Sequence, residues 1–219
     1  MNERDARESV AATARMMARA GLTEGFGHVS VRSGDGFAIT GVTPLASTGP
    51  DDILLVHDAA EPPSGGEAAL ETPMHAALYV ARPDIHAICR GHSPAAVVWG
   101  LRTTDLPLMH GLGGLAGHKV PVHADVRLVR TVDQGSAVAA TLGENHSLIL
   151  RANGCLAVGA IPLEALTRLY FLEERARVAN AAPPAIDAVD WGDRFQQGEA
   201  ELQRAMAWIE VAFGSEASP

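Results

Sequence analysis

The stretch Leu70-Glu71-Thr72-Pro73-Met74-His75, followed a helix and a strand later by Cys89-Arg90-Gly91-His92-Ser93-Pro94, decides how this chain is read. Proline is favoured in the first turn of a helix, where its missing N–H would have no partner in any case. Thr72-Pro73 therefore predicts a helix over 73–81 with Glu71 at its entrance. His75 then lies about one turn further in, so the two side chains can converge. Ile85-His86-Ala87-Ile88-Cys89 reads as a short buried strand within 85–92, and Ser93-Pro94 as an N-cap followed by a first-turn proline. A carboxylate, two imidazoles and a guanidinium thus sit where elements end, which is where α/β proteins keep their chemistry.

Upstream, residues 6–20 place Val10, Ala14, Met17 and Ala18 at helical spacing, with Gly21 as a C-cap. Short strands are expected at 28–32 and 36–40 around Ser33-Gly34-Asp35. A Gly/Pro/Thr-rich loop from 41 to 50 and an apolar run at 53–57 follow, which is the pattern of an antiparallel sheet. Downstream, 94–101 reads as a helix and 109–123 as a Gly- and His-rich loop long enough to suggest function. Residues 131–142 form a helix stopped by Gly143, 147–150 and 155–159 a pair of strands around Ala152-Asn153-Gly154, and 162–181 a long helix before Pro183-Pro184. Phe195, Leu202, Met206, Ile209 and Phe213 fall near helical spacing in a tail over about 190–213. Its apolar face must dock on its own core or on a neighbouring subunit.

The 219 residues suffice for one well-cored domain, 1–219, and nothing in the composition demands a second. Hydrophobic residues make up 47% and charged residues 20%, and no apolar run approaches the length of a bilayer span, which argues against a membrane protein. Asn2-Glu3-Arg4-Asp5 leads into an amphipathic pattern rather than an apolar signal segment, so the cytoplasm is the expected compartment. Seventeen basic against 26 acidic residues, with the basic ones scattered, argue against nucleic acid as a partner. Cys89 and Cys155 lie in apolar, strand-like contexts without CxxC spacing, as expected for buried thiols in a reducing compartment.

Several separate motifs, in order, resemble the class II aldolase/adducin family over roughly residues 6–182. They are Gly27-His28-Val29-Ser30-Val31-Arg32, Ile39-Thr40-Gly41 through Asp51-Asp52, and Glu71-Thr72-Pro73-Met74-His75 with Ala81-Arg82-Pro83-Asp84-Ile85. Gly91-His92-Ser93-Pro94-Ala95-Ala96, Val120-Pro121, Gln134-Gly135, Leu142-Gly143 and Leu150-Arg151-Ala152-Asn153-Gly154 complete the series. The resemblance implies an α/β class of fold, a three-layer α/β/α sandwich with a mainly antiparallel central sheet. It also implies a homotetramer with sites at subunit interfaces, and carbon–carbon lyase chemistry on a small molecule through an enolate held by a divalent metal, zinc or manganese. The family's catalytic carboxylate maps onto Glu71. Its three metal-binding histidines map onto Arg90, His92 and Asn153, so one ligand is kept, and arginine cannot ligate. Members acting on phosphorylated sugars carry two serines where this chain has Ala69-Leu70, and an asparagine where it has His28. The Glu-x-Pro-x-His form instead resembles the branch with decarboxylases of hydroxylated aromatic and pyridine carboxylates.

Each of these residues also has a plainer reading. Glu71 is either a helix-entrance carboxylate favoured by the dipole or a general acid/base for carbanion chemistry. Arg90 is either a structural ion-pair partner or an anchor that, with His92, stabilises an oxyanion. His75 orients a neighbour or, like His110, His118 or His123, supplies a replacement metal ligand beside His92. Asn153 is either the left-handed residue of a turn or a substrate contact. His28, Ser30, Arg32, Thr40 and His110 complete the candidate substrate-binding set, with Ser30, Arg32 and Thr40 equally readable as structural. An adducin-like binding module and an isomerase or hydrolytic lyase are the competing functions.

Overall fold

The computed structural model describes residues 2–63, 68–183 and 198–214. The chain opens with α1, Glu3–Arg19, capped by Asn2, whose side-chain oxygen accepts from the Asp5 N–H at 2.9 Å. Strands β1 (His28–Ser33), β2 (Gly36–Thr40) and β3 (Ile53–Val56) follow as an antiparallel meander. After α2 (Thr72–Ala81) come β4 (Ala87–Gly91), α3 (Pro94–Trp99) and a 3-10 turn, Gly111–Ala116. Then β5 (Val122–His123), α4 (Val132–Leu142), the hairpin β6 (Ser147–Leu150) and β7 (Gly154–Gly159), and the long α5 (Pro162–Ala181) complete the core. A last helix, α6, covers Glu199–Phe213. Phe195 and Pro184 lie outside the described residues.

These strands form one seven-stranded sheet in the order β3-β2-β1-β4-β7-β6-β5, antiparallel throughout except for the β5–β6 pair. Alternate residues of a strand face opposite sides, and two separate apolar cores result. Val29, Val31, Cys89 and Ala157 pack under α1, α3 and α5, while Ile39, Ile88, Leu148 and Leu156 pack under α2 and α4. The fold is thus a three-layer α/β/α sandwich with a mainly antiparallel sheet, and β4 sits at its centre with every residue buried. Cys89 and Cys155 are free, buried thiols.

Two local expectations are corrected. Ser93 is the N-cap residue of α3, followed by a first-turn proline as expected, but its side chain makes no capping bond and its hydroxyl is turned to the Leu22 carbonyl at 3.5 Å. The buried carboxylate of Glu173 on α5 takes over, accepting the Ala95 and Ala96 N–H groups at 3.0 Å each. The stretch 109–123 is not an open loop, because the 3-10 turn packs on α5 and Arg175 clamps it. That buried guanidinium donates to the carbonyls of Leu106 (2.5 Å), Pro107 (3.0 Å) and Gly117 (2.8 Å), and burial pulls its pKa down to about 10. The tail helix docks on its own chain through Ala205, Met206 and Ile209, with Trp208 edge-on to Tyr170 at 5.2 Å.

The clamp generates a prediction. Arg175→Met keeps the buried stem but removes the donor shared by the Leu106, Pro107, Gly117 and His118 carbonyls, so urea unfolding should show a loss of roughly 3 kcal/mol. Limited proteolysis should then cut within 105–118 faster than it does in the wild-type chain.

Candidate active site

Helix α2 and strand β1 run side by side, and their repeats nearly match. Four residues of helix advance about 6 Å and two residues of strand about 6.7 Å, so alternate β1 residues meet successive turns of the helix. His28, Ser30 and Arg32 accordingly face Glu71, His75 and Tyr79. His28 Nδ1 is 3.9 Å from Glu71 Oε2, and Ser30 Oγ is 2.7 Å from His75 Nδ1 and 2.9 Å from the Tyr79 hydroxyl. Arg32 donates to the carbonyls of Tyr79 (2.8 Å), Arg82 (3.1 Å) and Ile85 (2.9 Å), closing the C-terminal end of the helix.

The chemically open end of this stripe is the end at His28. There His28 pairs across the sheet with Arg90, which is wholly buried. Arg90 Nε lies 2.8 Å from Glu71 Oε2, a charge contact without the alignment of a hydrogen bond. Glu71 makes no side-chain cap to α2, so its carboxylate is committed to the sheet rather than to the helix it precedes. His92, just beyond β4, sits within hydrogen-bond reach of Arg90 Nη1 through both ring nitrogens, with Nδ1 at 2.9 Å. Its Nδ1 also lies 3.3 Å from the Phe26 carbonyl. A carbonyl only accepts and a guanidinium only donates, so one tautomer satisfies both neighbours: Nδ1–H donates to Phe26, and the Nε2 lone pair accepts from Arg90.

Two glycines allow these groups to meet. A Cβ on Gly27 (φ +148°) would lie 3.1 Å from the Arg90 carbonyl, and one on Gly154 (φ +146°) 2.3 Å from the Gly91 carbonyl and 3.2 Å from Arg90 Nη1. The result is a cleft of about 430 Å³ with His28, Glu71, Arg90 and His92 on its walls beside Phe26, Val42, Leu70 and Leu128. Phe26, Val42 and Leu70 are 77%, 72% and 53% exposed, so the lip is apolar and the floor ionic. This lip was missed in the sequence, although an apolar residue set among glycines (Gly25-Phe26-Gly27, Gly41-Val42) is poorly placed to join a core. The imidazoles are held neutral. Burial, then His75, Arg90 and His92, push His28 well below its usual value; burial and Arg90 lower His75 to about 3 and His92 to about 4.

Four of the candidate side chains are therefore brought together, and others are not. Ser30 and Arg32 are spent on the internal contacts of α2. Thr40 faces the α1 side of the sheet, where its hydroxyl accepts the Val29 N–H at 3.2 Å. His75 is buried beneath the cleft against Ser30, outside the cleft's lining. His110 borders a separate cavity of about 480 Å³ with Tyr170 and Trp208, His118 another with Glu144 and His146, and His123 Nδ1 meets Thr141 Oγ1 at 2.8 Å. In the 151–153 turn the left-handed residue is Ala152 (φ +56°), not Asn153, which is half-buried and off the cleft lining.

A divalent ion is implied by the resemblance, and the residues present do not fit one. Among the described residues no three His, Cys, Asp or Glu side chains gather as a metal-binding group. The His92 lone pair that would be offered to a metal faces a buried guanidinium instead, and a dication there would be repelled by that charge.

Residues 8–180 match the Class II Aldolase and Adducin N-terminal domain. The chain belongs to this family. It is 30% identical to 3,4-dihydroxyphthalate decarboxylase of Arthrobacter keyseri over 166 residues, 68% of this chain and 67% of that protein. It is 29% identical to the protein of the same name from Terrabacter sp. (strain DBF63) over 222 residues, 89% of this chain and 93% of that one. Among solved structures, L-fuculose-1-phosphate aldolase from Thermus thermophilus superposes with a TM-score of 0.71 at 26% identity, covering 81% of this chain and 94% of that chain.

The depressed His75 has a thermodynamic consequence. The unfolded chain binds a proton at His75 below about pH 6.5 and the folded chain only below about pH 3, so stability rises with pH across that window by about 1.4 kcal/mol per unit. Between pH 7.5 and pH 5 this site alone should cost about 2 kcal/mol. His75→Gln should flatten the acid loss by that amount in urea titrations at the two pH values.

Proposed function

We propose that the chain is a carbon–carbon lyase, aldolase-like or decarboxylase-like, acting on a small non-phosphorylated oxygenated or aromatic carboxylate. The observation that carries this reading is Glu71, whose carboxylate is buried beside Arg90 in the cleft while its Oε1 has no partner among the described residues. Cleavage of a carbon–carbon bond leaves an electron pair on carbon. Carbon dioxide or a carbonyl compound departs, and the Glu71 carboxylate relays to that pair a proton taken from the substrate hydroxyl in an aldol cleavage or from water in a decarboxylation, ending as the carboxylate it began as. His28, neutral and with its Nδ1 free of a hydrogen bond among the described residues, flanks that step and orients the substrate's oxygens, while His92 holds Arg90 in place. The apolar lip of Phe26, Val42 and Leu70 suits a hydrophobic body better than a phosphosugar. The names of the two relatives, decarboxylases of a dihydroxylated aromatic dicarboxylate, agree in kind.

The working protein is proposed to be a cytoplasmic homotetramer with cleft residues shared between subunits, as the family resemblance implies. Among the described residues no helix is long and apolar enough to cross a membrane. Sedimentation should show a species larger than the monomer at micromolar concentration; a monomer would remove the shared-site element and leave the Glu71 chemistry standing.

Glu71→Gln keeps the side chain's shape and removes its transferable proton. Purified protein should be assayed against a panel of hydroxy acids and hydroxylated aromatic carboxylates for carbon dioxide or aldehyde release. The variant should lose at least about 10²-fold in kcat on any substrate found, and unchanged turnover would refute the assignment.

A further inference from the structure

We infer that the cleft floor is an oxyanion site built on a guanidinium, with Arg90 Nη2 as the donor that receives a substrate carboxylate, enolate or phenolate oxygen and does the electrostatic work without a divalent metal. This deepens the reading of the Glu71 cleft as a lyase site and rests on it. Arg90 is fixed from three sides: Nε faces Glu71 Oε2 at 2.8 Å, while Nη1 faces the Gly91 carbonyl at 3.3 Å and the His92 ring. Nη2 is buried and has no partner among the described residues. Burying a charged donor without an acceptor is costly, and such groups in native proteins are normally satisfied. Around it, Glu71 Oε1 and His28 Nδ1 are likewise buried without hydrogen-bond partners among the described residues, and both residues line the same cleft as Arg90. A donor, an acceptor and an imidazole nitrogen left open together match a ligand that brings an anionic oxygen and a hydroxyl, as a 2-hydroxy or ortho-hydroxylated carboxylate does.

The electrostatics favour the same occupant. His28, His75 and His92 are neutral, so the floor carries one negative and one positive group, and an entering anion competes with Glu71 for Arg90. Fixed charge in a water-poor site acts with little reorganisation, the condition under which it stabilises a developing oxyanion best. In bond terms, the carbon–carbon bond breaks, its electron pair delocalises onto the oxygen held by Nη2, and the pair returns to carbon as Glu71 passes on a proton it has taken from the substrate hydroxyl or from water. Only the substrate, Glu71 and water are consumed or regenerated.

The test is calorimetric binding of salicylate, used as an unreactive probe, to the full chain, with zinc content measured in parallel. Wild-type protein should bind salicylate saturably, and Arg90→Lys should weaken it at least tenfold. Because Arg90→Lys could also disturb folding, Glu71→Gln supplies an independent arm: removing the competing carboxylate should tighten salicylate severalfold, whereas an Arg90 that serves only as a structural counter-ion gives no change. Zinc dialysed against wild-type protein should not be retained stoichiometrically, and salicylate binding should be the same with and without chelator. No saturable binding, binding indifferent to both substitutions, or stoichiometric zinc whose removal abolishes binding would each overturn the inference. Salicylate binding that follows Arg90 without lyase turnover on any substrate would instead sink the proposed function and leave the site standing; turnover that requires zinc would do the reverse.

Discussion

The buried contact between Glu71 and Arg90 is the constraint on which the rest of this site depends. Either charge alone in the interior would be penalised by several kcal/mol, and together they are tolerable only if their geometry is held. That requirement ties the entrance of α2 to the end of β4, elements from different layers of the sandwich. The pair is poor evidence of stability, since well-packed apolar residues would do as well or better at such a position. Its position at a cleft, with atoms on both partners left open, is what gives it a functional meaning.

The α2–β1 stripe shows how a fold divides one row of polar residues into chemistry and scaffold. His28, Ser30 and Arg32 share a face of β1 because strand side chains alternate, and each meets a different turn of α2. At one end the helix offers an entrance and a carboxylate, and the strand offers an imidazole into a cleft. At the other the helix offers its last carbonyls, and an arginine is the natural partner for those. Ser30 in the middle is sealed between His75 and Tyr79. Identical placement on the strand therefore leads to three different roles, decided by the helix register.

Much of this was legible beforehand, and the reasons for the failures are specific. The helix 73–81, the strands flanking Ser33-Gly34-Asp35 and the Gly143 stop depend on proline, glycine and alternation, which act locally. Arg90 and His92 follow Glu71 in one motif series, so a guanidinium beside that carboxylate could be anticipated; the imidazole expected beside Glu71, His75, bonds Ser30 instead, and His28 lies beside the carboxylate. Thr40 was not distinguishable from a site residue because a one-residue change of parity sends a side chain to the other face of the sheet. Ser93 holds the N-cap position of α3, but the acceptor that satisfies the helix start, Glu173, comes from almost 80 positions later and could not be read locally. The same is true of the stretch 109–123, whose order comes from Arg175 on α5. Non-local donors and acceptors leave no trace in a window of neighbouring residues.

The neutral histidines around the pair have a further physical role. Three imidazoles packed near a carboxylate could have been protonated and made the floor strongly positive. Burial prevents it, and Arg90's own charge adds to the effect at each of them. The guanidinium thus keeps its neighbours in the form that can accept as well as donate hydrogen bonds. It also keeps the floor close to electroneutral until something enters. A site balanced in this way responds to the charge of its occupant more than one already loaded with cations. Neutral imidazoles and a single fixed cation select for one anionic group at a defined place, and the apolar lip then selects for what that group is attached to.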